Sequence, residues 1–316
     1  MLNNDQKQNK DFKNLEIKIK NDEYLIDLFK KNNFIFKYND INWFLKYNEI
    51  LVRYFYSQKK LCKTNKNKNF CLQTNKGFQE KIIIKNNCLV LVSEECNCNL
   101  INKIKKYFLF FNFDQKYLQY TFNNNCYLKP SRNNLIVFFA KWLKKIIDNK
   151  LGIYIFGEPN IGKTFISILF ANNIASKQKK TICFITSIEL ISFVKEKVIN
   201  NKLTTLKSLN FFMNVDVLFL DDIGGEKVTQ WSRDEVLFPF LNFRMNKNKA
   251  TFFTSNFSIK QLVYIYQNVK INYSYSQNNE LKKIEKMKSL RLVRRIKSLC
   301  YKNYSFNLDK GCFEKN

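Results

Sequence analysis

The chain has 316 residues, 45% of them hydrophobic, enough for one large core or a core with a smaller companion domain and too apolar for a disordered tail. It contains no histidine, which excludes Ser-His-Asp and Cys-His nucleophile systems and every histidine metal ligand. Its 54 Lys and Arg against 26 Asp and Glu give a formal charge of +28; this favours polyanionic partners, but the excess of Lys, Asn, Ile, Phe and Tyr is also what AT-rich coding produces, so nucleic-acid binding has to be argued from particular positions.

The N-terminal residues Met1-Leu2-Asn3-Asn4-Asp5 lack the apolar core of a secretory signal, which points to the cytoplasm and to reduced thiols for the nine cysteines. Helical spacing of Phe44, Tyr47, Leu51, Tyr54 and Phe55 behind a capping Asp40 predicts a helical opening. Lys81 to Lys85 and Cys88 to Val92 read as two short strands joined through Asn86-Asn87, with Cys62, Cys71, Cys88, Cys96 and Cys98 around them. A polar stretch through Asn123-Asn124-Asn125 then precedes a helix ending near Asp148. The boundary is placed here, giving a small, mainly helical N-terminal domain with a β-hairpin (1–125) and a second domain (126–316). The apolar run from Leu135 to Ala140 is cut by Lys141, Lys144 and Lys145 before it could span a bilayer, so no membrane segment is expected.

From Leu151 strands alternate with helices, the pattern of a parallel sheet with helical crossovers. Five strands are predicted, at Gly152 to Phe156, Thr181 to Thr186, Val215 to Leu220, Ala250 to Thr254 and Tyr304 to Leu308, with helix starts at Ser187 and Ser258. Between the first strand and its helix lies Gly157-Glu158-Pro159-Asn160-Ile161-Gly162-Lys163-Thr164. Glycines there let backbone amides surround a phosphate, Lys163 reaches the terminal phosphates and the Thr164 hydroxyl joins magnesium, so ATP with magnesium is the expected ligand. The apolar strand ending in Asp221-Asp222 supplies two carboxylates. Asp221 suits magnesium through water, and Asp222 stands where a carboxylate would polarise an attacking water. The next strand ends in Ser255-Asn256, whose amide could orient that water or simply close a turn. In this order, phosphate loop, paired acids and strand-end Asn match the AAA+ division of P-loop ATPases, with a five-stranded parallel sheet flanked by helices.

Leu220-Asp221-Asp222-Ile223-Gly224-Gly225-Glu226, Trp231-Ser232-Arg233-Asp234-Glu235-Val236-Leu237 and Phe252-Phe253-Thr254-Ser255-Asn256-Phe257 resemble the DnaI/DnaC family of bacterial helicase loaders. The resemblance is specific over Gly152 to Leu299. It implies an ATPase, weak alone, that self-associates through its core, contacts single-stranded DNA and helps place the hexameric replicative helicase on DNA, while its N-terminal domain grips the helicase. It also makes Arg295, in Val293-Arg294-Arg295-Ile296, the candidate for an arginine completing a neighbouring subunit's site, although Arg294 replaces the family's acid; Arg291, one helical turn earlier, is the alternative, and the stretch Lys282 to Lys302 also reads as a solvated basic helix. The family's zinc motif has a Cys-x-x-Cys pair and a histidine, whereas here Lys63 and Thr64 follow Cys62 and Gln79 falls at the histidine position. Cys62, Cys71, Cys96 and Cys98 could still form a four-thiolate zinc site, or be small buried hydrophobes. Lys227, Trp231 and Arg233 combine charge with an aromatic face suited to single strands, the alternative being that Trp231 packs in the core and Arg233 pairs with an acid. Two other functions fit the same motifs, a transposition-associated ATPase and a nucleotide-gated DNA-binding protein with negligible turnover.

Overall fold

The computed structural model describes residues 12–37, 40–59, 71–122, 130–148, 151–201, 204–268 and 279–315. By its internal contacts the chain divides into two units, Met1–Asn102 and Lys103–Asn316. This division precedes the 125/126 boundary expected from the polar stretch, because Phe108–Phe111 pairs in parallel with the strand Ile182–Thr186 of the second unit.

In the first unit, α1 (residues 12–20), α2 (Glu23–Lys31) and α3 (Ile41–Lys59) lead into strands β1 (Phe78–Lys85) and β2 (Cys88–Glu95). The Asp40 carboxylate accepts from the amides of Asn42 at 3.0 Å and Trp43 at 3.3 Å, meeting donors that the first turn of α3 leaves open. β1 and β2 pair antiparallel through Asn86 and Asn87, both at positive φ (51° and 55°), the backbone that a two-residue hairpin demands and that asparagine tolerates. Phe44, Leu51, Ile82 and Leu89 meet in the core of this unit. Helix α4 (Asn97–Lys105) carries the chain across the division.

The second unit is built on a seven-stranded sheet in the order β3-β5-β6-β7-β4-β8-β9. Its middle is the expected parallel set: β5 (Ile182–Thr186), β6 (Val217–Asp221), β7 (Ala250–Ser255), β4 (Gly152–Phe156) and β8 (Cys300–Asn307). Two edge strands are additional: β3 (Phe108–Phe111), parallel to β5, and β9 (Cys312–Lys315), antiparallel to β8. Both are four-residue segments too short for alternation to distinguish them from loop. Every residue of β4, β6 and β7 is buried, as in a sheet covered on both faces. The covering helices are α5 (Pro130–Asp148), α6 (Lys163–Gln178), α7 (Ser187–Asn201), α8 (Thr205–Asn214), α9 (Phe238–Asn246), α10 (Ile259–Gln267) and α11 (Asn279–Ser298).

Ser258 and Gln261 form the reciprocal capping box expected at the start of α10. At α7 the capping residue is Thr186 rather than Ser187: the Glu189 amide donates to Thr186 Oγ1 at 3.1 Å, and that hydroxyl donates to Glu189 Oε2 at 3.0 Å. The Ser187 hydroxyl is thereby released to face the interior.

A π-helical turn, Ser232–Leu237, precedes α9 and carries Arg233 into the core. The Arg233 side chain has 0% exposure and meets Glu285 of α11 at 2.6 Å and Asp234 at 2.7 Å; it also donates to the Tyr266 carbonyl at 2.9 Å. Removing Glu285 leaves Arg233 with Asp234 and the Tyr266 carbonyl but takes away one acceptor of a buried guanidinium. Glu285→Ala is therefore expected to cost about 1–3 kcal/mol, measured by urea unfolding. The apolar double variant Arg233→Met, Glu285→Met should regain most of that loss, since both charges leave together. Equal destabilisation of the double variant would show that the pair does not act as a unit.

Candidate nucleotide site

The parallel register brings the C-terminal ends of three strands to one level: Phe156 of β4 lies beside Ser255 of β7, and Leu220 of β6 beside Phe253. The loop after β4 turns at once into α6, and Gly162 takes φ 96° there, a left-handed backbone that side chains disfavour. Lys163 is folded onto this loop, its Nζ donating to the carbonyls of Gly157 at 2.9 Å and Glu158 at 2.7 Å. Burial lowers its pKa, while the nearby carboxylates of Asp222, Asp309 and Asp221 act in the opposite sense. Pro159 and Asn160 line the same pocket; Asn160 is held at φ 61°.

Thr164 Oγ1 lies 2.9 Å from Asp221 Oδ2. Asp221 is 6% exposed and its pKa is raised by burial, against hydrogen bonds from Thr254 and Thr164 that favour the ionised form. Thr254 is the hinge of the acidic pair. Its hydroxyl donates to Asp221 Oδ1 and accepts from the amide of Asp222 at 2.8 Å. Asp222 has left the strand, at φ 54°, and its Oδ1 accepts from Asn256 Nδ2 at 3.1 Å. Lys163, Thr164, Asp221, Asp222, Thr254 and Asn256 thus face one cavity of about 650 Å³, closed on another side by Phe113, Tyr117 and Phe165. The donor set fits a magnesium–triphosphate: loop amides and an ammonium for the phosphates, a hydroxyl beside a carboxylate for a hard cation.

Asp309, in the turn between β8 and β9, accepts from the amide of Glu158 at 3.0 Å. No sequence signal marked this residue, since it follows the last predicted strand and only the β4–β8 pairing brings it to the loop. Thr254 was legible only as a strand residue.

Arg295 lies elsewhere. Its Nε donates to Asn242 Oδ1 at 2.8 Å and its guanidinium stands 5.7 Å from the Phe238 ring, above which Arg291 also stacks at 4.6 Å. Among the described residues no arginine lines the pocket. The three residues considered for DNA also do not form one surface: Lys227 is exposed, Trp231 packs partly buried against the core, and Arg233 is inside it. The surface role of Arg233 is corrected accordingly, because its guanidinium is already committed to Glu285, Asp234 and the Tyr266 carbonyl.

In the first unit the thiols of Cys71, Cys96 and Cys98 converge within 4.8 Å of one another. The Sγ of Cys96 lies 3.7 Å from that of Cys71 and 2.9 Å from that of Cys98, and the Gly77 amide donates to Cys71 Sγ at 3.0 Å. Three clustered thiols supply three of the four ligands that a structural zinc site takes. Cys62 lies outside the described residues.

The family model of the IstB-like ATP binding protein matches residues 141–276. The replicative helicase loader DnaI of Bacillus subtilis (strain 168) is 29% identical over 283 residues, covering 83% of this chain and 86% of the relative. A crystal structure of DnaI superimposes with a TM-score of 0.50 at 27% identity, covering 62% of this chain and 96% of that one. No helix among the described residues is long and apolar enough to cross a membrane. The second unit has the AAA+ P-loop fold, and the likeness to the helicase loader DnaI extends well beyond the residues matched as IstB-like, so the chain is similar to DnaI over most of its length.

Proposed function

We propose that this protein is a cytoplasmic, ATP-dependent loader of the replicative helicase, acting when replication starts or restarts. The observation that carries the reading is the extent of the relation to the Bacillus loader, 83% of this chain. The IstB-like match supports the transposition ATPase as the second reading, but it stops within the core, at residues 141–276. In the loader reading the first unit, Met1–Asn102, grips the helicase and the second, Lys103–Asn316, is the motor.

In this reading Gly157 to Thr164 hold the phosphates, with Lys163 turning from the loop carbonyls to the terminal phosphates. Magnesium, held by Thr164 and through water by Asp221, would neutralise phosphate charge. Asp222 orients and polarises the attacking water, and Asn256, bonded to it, fixes its direction. Arg295 lies outside its own chain's pocket, which supports its serving a neighbouring subunit. Single-stranded DNA is the second partner, met by basic surface that includes the exposed Lys227. Zinc on Cys71, Cys96 and Cys98, with Cys62 as fourth ligand, would tie the base of the β1–β2 hairpin.

Co-purification with the replicative helicase of the same cell, in ATP and in ADP, tests the loader reading; no complex in either state would reject it. Lys163→Ala should bind ATP far more weakly in calorimetry, because the loop loses the charge facing the terminal phosphates. Arg295→Ala should bind ATP normally but lose stimulation by helicase and DNA, a finger being worth on the order of 10³ to 10⁵ in rate. Mixing Arg295→Ala with Lys163→Ala chains should restore part of the turnover, since each supplies what the other lacks at a shared site. High turnover independent of protein concentration would refute the trans arrangement. Purified protein should carry about one zinc per chain by metal analysis, in line with a four-coordinate structural site; its absence from freshly purified, reduced protein would leave the three thiols as core residues.

A further inference from the structure

Asp222 is held by a buried side chain that lies outside the phosphate loop and the acidic pair. The residues after β6 do not run straight into a helix: Asp222 sits at φ 54° and Gly224 at φ 90°, so the backbone folds back on itself. A Cβ on Gly225 would stand 2.4 Å from Asp222 Oδ2, so the Asp222 carboxylate lies across a glycine and a side chain there would displace it. Such a loop, with a non-glycine residue in the left-handed region, persists only when its surroundings over-determine it.

Glu226 supplies that determination. It is 5% exposed, and its carboxylate accepts from three directions: Gly224 N at 2.8 Å, Ser187 Oγ at 2.7 Å and Tyr266 OH at 2.5 Å. The Ser187 hydroxyl also lies 2.8 Å from the carbonyl of Asp222, so its single proton is shared between that carbonyl and Glu226. The carboxylate therefore joins the loop's own amide, the start of α7 and the end of α10 to the residue that orients the attacking water. Ser187 is available for this because Thr186 caps α7 in its place.

We infer that Glu226 is a positioning residue for ATP hydrolysis: it clamps the turn 222–226 and thereby aims Asp222, without contacting nucleotide. Glu226 does not line the pocket. The inference rests on the reading of Asp222 as the water-orienting carboxylate. The clamp acts through geometry, so the variants separate as follows. Glu226→Ala removes the acceptors and takes the carboxylate partner from the part-buried Gly224 amide. Glu226→Gln keeps an oxygen for Gly224 and Ser187 and presents its amide to Tyr266, whose hydroxyl can turn and accept. Tyr266→Phe removes one hydroxyl while keeping the ring packed.

The test combines hydrogen exchange with steady-state kinetics on the full-length chain. In Glu226→Ala the 222–226 segment should exchange at least about tenfold faster, while β6 and β7 keep their protection. Its kcat should fall about 10- to 100-fold, the scale of a misplaced catalytic group, with MgATP affinity within about threefold of wild type because the phosphate loop is untouched. Glu226→Gln should stay within about threefold of wild type in both measures, and Tyr266→Phe should lose turnover severalfold, which serves if the alanine variant does not fold. In an Asp222→Asn background, Glu226→Ala should cost less than about twofold further, because residues acting as a unit are not additive. Wild-type loop exchange in Glu226→Ala, or a kcat loss fully additive with Asp222→Asn, would overturn the inference. If the wild-type chain turns over no ATP with or without helicase and DNA, the hydrolytic reading fails, and the exchange measurement still decides whether Glu226 holds the turn.

Discussion

The register of β4, β6 and β7 is the constraint on which the rest of this protein depends. All three strands are buried along their whole length, so their polar side chains and backbone termini can be satisfied only where the strands end. In-register parallel pairing places those ends side by side, and the first polar groups to emerge are the phosphate loop, Asp221 and Ser255-Asn256. A slip of one residue in β7 would turn Thr254 away from Asp221 and remove the hydroxyl that links the two acids. The cavity is thus a consequence of strand pairing rather than of the loops that decorate it.

The positive charge of the chain divides into functions that composition does not separate. Part of it is structural. Arg233 is paired inside the core, and Arg244, also 0% exposed, donates to the carbonyls of Phe212, Met213 and Val215 at the end of α8 and to Ala250 and Thr251 at the start of β7. A guanidinium suits this position because its planar array of donors can satisfy several helix-end carbonyls at once, which an ammonium could not. Only charge left outside such networks, as on Lys227, is available to a polyanion.

The same interior links places far apart in sequence. Glu226 bonds to the Tyr266 hydroxyl, the Tyr266 carbonyl accepts from Arg233, and Arg233 reaches Glu285 on α11, the helix that also carries Arg291 and Arg295. The turn that follows the acidic pair and helix α11 are therefore joined by contiguous, buried polar contacts. Such contacts are stiff because none of their members can exchange a partner for water without cost.

The sequence alone determined what depends on local chemistry. A glycine-bracketed loop between an apolar strand and a helix, two acids at a strand end, an Asn-Asn turn between short strands and a Ser-x-x-Gln capping box each carry their geometry in consecutive residues. That is why the five central strands, the hairpin and Asp40 as a cap were legible. Partners far apart in sequence were decided by tertiary structure. Asp309 reaches the phosphate loop only because β8 pairs with β4, and four-residue β3 becomes a strand only by pairing with β5. Arg233 reads in sequence either as a surface cation beside an aromatic residue or as the partner of an acid, and the packing of α11 decides for the second by supplying Glu285. The position of Glu226 was visible in the motif, but not its use, because its three donors come from residues 224, 187 and 266 and meet only in the folded chain.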